Sequence, residues 1–287
     1  MDFNKTLISC SALPAIMANT KEGKPLTDKQ SEEFAKLTVH PNRSKSQQEK
    51  YEKYLIRLEN EGKIDAIGAG GISKLKDIYI KEKWHKEIIN VAKDYVPAVL
   101  NGTLSESKSL DLVSELDGVT YKQHKCLMKN RYLKGILDCY LGKSLKKIEK
   151  VTDIKTAASM QSLLSLVKDE ETKSRYYWQI MGYLAITGAN EGEICHCLVS
   201  YSDRIINDEI NKFLHRTKNL GFDGEYIDAQ IHRIKFNMTF DEIPIEQRVV
   251  RFKVQRDEDA IKNIYEKVKF CRKWLNNFDE LHRSMNI

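Results

Sequence analysis

A chain of 287 residues that is 41% apolar, with a mean hydropathy of −0.51, can bury a sizeable core and is neither a disordered polymer nor a membrane-embedded one. No run approaches a membrane span, and Met1-Asp2-Phe3-Asn4-Lys5 lacks a signal peptide's apolar stretch, so the expected location is the cytoplasm. The formal charge of +6, from 47 basic and 41 acidic residues, permits a nucleic-acid partner without arguing for one, because a local groove matters more than the total.

Residues 7–18, with Ser9-Cys10-Ser11-Ala12-Leu13-Pro14, read as a short strand or loop. Two capping boxes, Thr27 with Gln30 and Ser46 with Glu49, predict helix starts. From Ser46, Tyr51, Tyr54, Leu55 and Leu58 form one face of an amphipathic helix ending near Gly62, and His40-Pro41-Asn42-Arg43-Ser44 is the turn before it. Gly68-Ala69-Gly70-Gly71-Ile72-Ser73-Lys74 has neither the Walker nor the dinucleotide spacing, and reads as a flexible turn capped by Ser73 before a helix containing Trp84. Residues 93–117 read as helical. Residues 121–130 then supply a basic approach, Lys122, His124, Lys125 and Lys129 with Arg131 after them, which suits either a DNA-backbone track or an ordinary basic hairpin edge.

The most informative stretch is 132–187. Residues 132–141 are too short and too apolar for a helix, and Gly142-Lys143-Ser144 is turn chemistry. Residues 145–157 carry Ile148, Val151, Thr152, Ile154 and Thr156, a β-branched cluster that predicts a second strand and therefore a hairpin. Pairing across Gly142 brings Asp138 and Asp153 together, and two close carboxylates call for a hard cation such as magnesium or manganese. Strand alternation puts Lys155 on the face of Asp153, where an ammonium can serve a water or a phosphate oxygen. Next comes a helix with an apolar face of Tyr177, Ile180, Met181 and Leu184 and a second stripe of Gln179 and Tyr183.

Beyond it, residues 193–201 read as a strand, 203–216 as a helix and 248–255 as an alternating strand. A final helix carries the stripe Ile261, Ile264, Val268, Cys271, Trp274, Leu275 and Phe278. The six cysteines are scattered, and Cys195-His196-Cys197 lacks the spacing of a zinc or iron–sulfur site, so all six read as reduced thiols.

Gly135-Ile136-Leu137-Asp138, Asp153-Ile154-Lys155 and Tyr176-Tyr177-Trp178-Gln179-Ile180-Met181-Gly182-Tyr183, in this order, resemble the PD-(D/E)XK nuclease superfamily. The likeness is to its phage-type exonuclease branch, the lambda-exonuclease and YqaJ-like viral recombinases. The resemblance implies a restriction-endonuclease-like α/β core, a central mixed sheet flanked by helices, in a single domain. Residues 1–100 would form a mainly helical portion, 101–210 the catalytic core, and 211–287 a closing strand and helix. It implies Asp138, Asp153 and the Ile154 carbonyl as metal ligands, with Glu106 from a preceding helix as a third carboxylate for which Glu115 competes. Lys155 would be the catalytic lysine, and Gln179 and Tyr183 match the Gln-x-x-x-Tyr helix of the RecB-like subgroup. Ser9 and Ser11 resemble a serine-containing terminal-phosphate site, although no arginine precedes Ser9. The implied activity is magnesium- or manganese-dependent resection of duplex DNA ends, 5′ to 3′, in a bacterial cytoplasm beside a single-strand annealing protein, with ring-shaped homo-oligomers known in such families. An endonuclease or structure-specific nuclease on the same core, or a silent DNA-binding protein, is the alternative.

Overall fold

The computed structural model describes residues 2–18, 26–40, 42–59, 67–86, 97–167 and 170–284. In chain order its elements are β1 (Ile8–Ser9), α1 (Leu13–Met17), α2 (Asp28–Val39), α3 (Lys45–Glu59), α4 (Ala69–Trp84), α5 (Pro97–Leu104), α6 (Glu106–Asp117), β2 (Lys122–Gln123), β3 (Met128–Lys129), β4 (Leu133–Gly135), β5 (Cys139–Ser144), β6 (Lys147–Thr156), α7 (Met160–Leu164), α8 (Glu170–Thr187), β7 (Glu191–Cys197), α9 (Asp203–Thr217), α10 (Gly224–Met238), β8 (Val249–Gln255) and α11 (Glu258–Ser284). Two compact units emerge. One comprises Met1–Ile88, Lys129–Lys134 and Asp257–Ile287, and the other Ile89–Met128 and Gly135–Arg256.

In the first unit the long amphipathic α11 buries Ile261, Ile264, Val268, Cys271 and Leu275, five members of the stripe read from the sequence. Asp279, also on α11, is buried against α4, where the Tyr79 hydroxyl donates to it over 2.8 Å and the Lys83 ammonium over 2.6 Å. The capping box of α2 is present as expected, Thr27 and Gln30 satisfying each other's backbone N–H groups. At α3 it sits two residues earlier than predicted, because Ser44 and Gln47 make the reciprocal bonds and Ser46 falls inside the helix. Leu58 is exposed rather than part of the buried face, while Tyr54 is buried and donates to Glu33 of α2. Residues 68–74 are not a flexible turn. Gly68 caps α4 in an extended conformation and the glycines run into the helix, with the α1 backbone at Ala15 and Ile16 lying where a Gly71 side chain would stand. The predicted helix end near Gly62 and the start of the helical region at 93–96 lie outside the described residues.

The second unit is built on a five-stranded mixed sheet in the order β2-β5-β6-β7-β8. β5 and β6 pair antiparallel, β6 and β7 parallel, and β7 and β8 antiparallel. The parallel pair demands a crossover, which α7 and α8 supply. On one face Leu112 and Val113 of α6 pack with Tyr121, Cys139, Ile154, Cys195, Cys197 and Val199. That face also holds a fully buried Glu193, paired with Lys150 at 2.7 Å and with Arg251 at 3.4 Å, and accepting from Thr152 over 3.3 Å. A second cluster joins Ala157 and Leu163 to Ile205, Ile206 and Ile210 of α9 and to Phe240. No helix is long and apolar enough to cross a membrane among the described residues.

Two details differ from the sequence reading. The segment 132–141 is not one strand: β4 stops at Gly135, the chain breaks over Ile136, Leu137 and Asp138, and β5 begins at Cys139. Gly142 is not the turn but lies in β5 at a bulge, with φ of +149°, and the hairpin closes at Leu145 and Lys146. Any side chain at Gly142 would overlap the Lys147 carbonyl oxygen, which is why glycine occupies a strand position.

Candidate active site

The break before β5 is what makes the site. Cys139 pairs with Thr152, and continuing that register by one residue sets Asp138 opposite Asp153 at the end of the hairpin. There Asp138 leaves the ladder, and its Oδ2 accepts the Ile154 N–H over 2.8 Å. Strand alternation then places Asp153 and Lys155 on one face, and the Lys155 ammonium lies 2.5 Å from Asp153 Oδ2, 4.0 Å from Asp138 Oδ2 and 3.5 Å from the Ile154 carbonyl. From α8, Gln179 Nε2 donates to Asp153 Oδ1 over 2.8 Å and stands 3.5 Å from the Tyr183 hydroxyl. Three separate segments of sequence converge on the site.

That carboxylate is 1% exposed. Burial pushes Asp153 up to about 6, the charge of Asp138 adds to the shift, and Lys155 opposes it without cancelling it. Burial pulls on Lys155 in the reverse sense, but Asp153 and Asp138 together outweigh it and hold the ammonium above an ordinary lysine. At neutral pH the pair is therefore ionised, with a carboxylate that gives up its proton late. Asp153 Oδ2 is held in the ion pair with Lys155 at 2.5 Å and accepts from no other described residue.

Asp138, Ile154 and Lys155 line a cavity of about 450 Å³ together with Gly102, Glu106, Thr156, Tyr176 and His196, whereas Asp153, Gln179 and Tyr183 do not line it. Glu106, in the first turn of α6, is therefore brought to the site, and the hydroxyls of Ser109 and Thr156 at 3.2 Å tie that helix to β6 beside it. Glu115, the competing glutamate, does not line the cavity. Sequence reasoning missed Gly102, Thr156, Tyr176 and His196 as lining groups. Tyr176 is one turn before Gln179 and could have been found by helical spacing. His196 could not, because only the parallel register of β6 with β7 sets it beside Lys155. Burial, and secondarily Lys155, pushes its imidazole down to about 4, so it is neutral at pH 7.

The other predicted residues stand elsewhere. Lys122 does not line the cavity: its ammonium donates to the Gly142 and Lys143 carbonyls over 2.8 and 3.3 Å, further along β5. Lys125 is exposed in the same unit. Ser9, Ser11, Lys129 and Arg131 belong to the first unit, where the Ser11 hydroxyl donates to Ser9 over 3.2 Å and the Arg131 carbonyl accepts from Arg272 over 2.8 Å.

No cluster of three or more His, Cys, Asp or Glu side chains poised to hold a metal occurs among the described residues. The donors present are two carboxylates and the Ile154 carbonyl, with Glu106 on the cavity wall. All are hard oxygens, and Asp153 Oδ2 is a buried one that shares only the Lys155 ammonium. That set fits magnesium or manganese, which bind through one or two carboxylates and keep several waters, better than zinc, which favours nitrogen and sulfur.

No family model matches the sequence, and no curated protein does. Solved structures do. A phage-related exonuclease from Haemophilus somnus 129PT is 16% identical, superimposes with a TM-score of 0.62, and is matched over 98% of this chain and 97% of its own. The alkaline exonuclease LHK-Exo from Laribacter hongkongensis, in complex with dAMP, is 14% identical with a TM-score of 0.50, over 78% of this chain and 89% of its own. This chain has the phage-exonuclease fold. Its mixed sheet and flanking helices share their arrangement with that phage-related exonuclease.

Proposed function

We propose that this protein is a metal-dependent deoxyribonuclease that resects linear duplex DNA from its ends, 5′ to 3′, for recombination by strand annealing. The observation that carries the reading is the convergence of Asp138, Asp153 and Lys155 within 4.0 Å of one ammonium, with Gln179 fixing the buried carboxylate. The likeness to phage-related and alkaline exonucleases supports an end-directed activity over other uses of the same core. Asp138, Asp153 and the Ile154 carbonyl, with Glu106, would hold magnesium or manganese, and the ion would supply charge stabilisation at the phosphate and an acidified water. Lys155 orients the attacking water or screens the developing phosphate charge. Gln179, backed by Tyr183, keeps Asp153 Oδ1 occupied and so orients the carboxylate, whose other oxygen would be shared between Lys155 and a bound metal. A single-strand annealing protein and a homo-oligomer are the partners this activity calls for.

The test is digestion of linear and covalently closed duplex DNA with magnesium, beside an EDTA control and Lys155→Ala. Loss of the linear form alone, abolished by EDTA and by Lys155→Ala with DNA binding retained, is the expected result. Cutting of closed circles would replace the end-directed reading with an endonuclease. Tight DNA binding without turnover would replace it with a binding protein. Unchanged turnover in Lys155→Ala would remove the lysine from the chemistry.

A further inference from the structure

The positive charge of this chain is concentrated. Residues 121–150 hold nine basic and two acidic residues, a net of +7, which exceeds the +6 of the whole chain. Setting aside those of the first unit, Lys150, which is committed to Glu193, and Lys125 between β2 and β3, the exposed cations gather at the β5–β6 hairpin: Lys143, Lys146 and Lys147, with Lys122 laid across it. None of these four forms an ion pair with a described acidic group. The end of the hairpin also stands clear of its sheet. The ladder with β2 ends at Tyr140 and the ladder with β7 ends at Lys150, so residues 142–149 continue as a two-stranded ribbon with no third strand among the described residues. Bulges at Leu141/Gly142 and Gly142/Ser144 bend it, and Leu145 is 40% exposed at its tip.

We propose that this ribbon is a second DNA contact, in which Lys143, Lys146 and Lys147 hold the phosphate backbone at a fixed distance from the bond being cleaved. The inference rests on the nuclease reading above. β6 is the ruler, because it carries Lys147 at one end and Asp153 and Lys155 at the other. Six residues of strand span about 20 Å, which is about six base-pair steps along the axis of a DNA duplex. A ribbon anchored in the same strand as the catalytic carboxylate makes the two contacts move as one body. Uncompensated ammonium groups repel one another, and a polyanion relieves that repulsion while releasing counterions. Lysines on an exposed strand edge also discourage aggregation, and that is the reading the experiment must displace.

Binding of a labelled duplex of about 20 base pairs is measured in EDTA, so that nothing is cleaved, between about 50 and 300 mM salt. The proteins compared are the wild type, the triple variant Lys143→Gln, Lys146→Gln, Lys147→Gln, and the same triple change to arginine. The glutamine variant should lose about 2 to 3 from the slope of log affinity against log salt, and ten-fold or more in affinity at low salt, while the arginine variant keeps both. Magnesium-dependent hydrolysis of bis-p-nitrophenyl phosphate, too small to reach the ribbon, should stay within about two-fold of wild type in all three proteins. An unchanged slope in the glutamine variant overturns the proposal, as does an equal loss in the arginine variant. Wild-type protein that cleaves neither DNA nor the ester overturns the nuclease reading instead, and the slopes still decide the ribbon.

Discussion

Gln179→Met removes one donor from the site and little else, since methionine keeps the length and unbranched shape of glutamine. In the native protein the amide donates over 2.8 Å to a carboxylate that is 1% exposed and already pushed up to about 6. A hydrogen bond to a charged group is worth about 1.5–3 kcal/mol, and at about 1.4 kcal/mol per unit its loss should raise Asp153 by a further one to two units. The sign follows from linkage. Asp153 binds its proton more tightly folded than unfolded, so its ionisation weighs against folding, the penalty growing as pH rises from about 4 and complete above the folded value. Gln179→Met therefore costs about 1.5–3 kcal/mol near pH 9 but only about 0.5–1.5 kcal/mol near pH 4.5, where the carboxyl is neutral in both proteins. Urea unfolding of EDTA-treated wild type and variant at the two pH values reads the difference directly. An equal loss at both would show that Gln179 packs against the carboxylate without stabilising its charge.

Gly142→Ala should destabilise the protein by about 2 kcal/mol or more, because the added methyl meets the Lys147 carbonyl and Ile148 at a backbone conformation side chains avoid. Wild-type urea stability would mean that the bulge relaxes without cost. All six cysteines are free and only Cys126 is exposed, while burial pushes Cys197 and Cys271 up to about 12. One thiol should thus react quickly with an aromatic disulfide in native protein and six in denaturant, and two fast thiols would contradict the burial of the other five. Burial raises Asp279, but hydrogen bonds from Lys83 and Tyr79 outweigh it and hold the carboxyl well below the usual range. Its contribution is present above about pH 4 and is lost as pH falls through the folded value, so Asp279→Asn should flatten the acid limb of a thermal-midpoint profile between about pH 5 and 2. A limb of unchanged steepness would remove Asp279 as a source of it.

Legibility in the sequence followed the range of the interaction. Ile180, Met181 and Leu184 announced the buried face of α8 because helical period is local, and the stripe of α11 was readable for the same reason. α10 was not, since no residue of that helix is buried and Ile231, Ile234 and Met238 are only partly covered. Ser46 and Glu49 matched the capping-box pattern as well as Ser44 and Gln47 did, and spacing alone does not choose between overlapping candidates. The buried Glu193 looked like the start of an ordinary strand; its partners Lys150 and Arg251 come from two other strands, and no local pattern reports them.

The same distinction separates the parts of the site. Asp153 and Lys155 were paired by strand alternation, a rule of period two that needs no partner strand. Asp138 required a correct hairpin, and the position of the turn decides it. A turn at Gly142-Lys143-Ser144 would set Asp138 opposite Ile148, whereas closure at Leu145 and Lys146, with one extra residue in each strand cancelling the other, sets Cys139 opposite Thr152 and brings the two carboxylates together. The bulges absorb the irregularity at the far end of the hairpin. The register of the two carboxylates is held at one end of β5 and β6, and the other end carries the lysines.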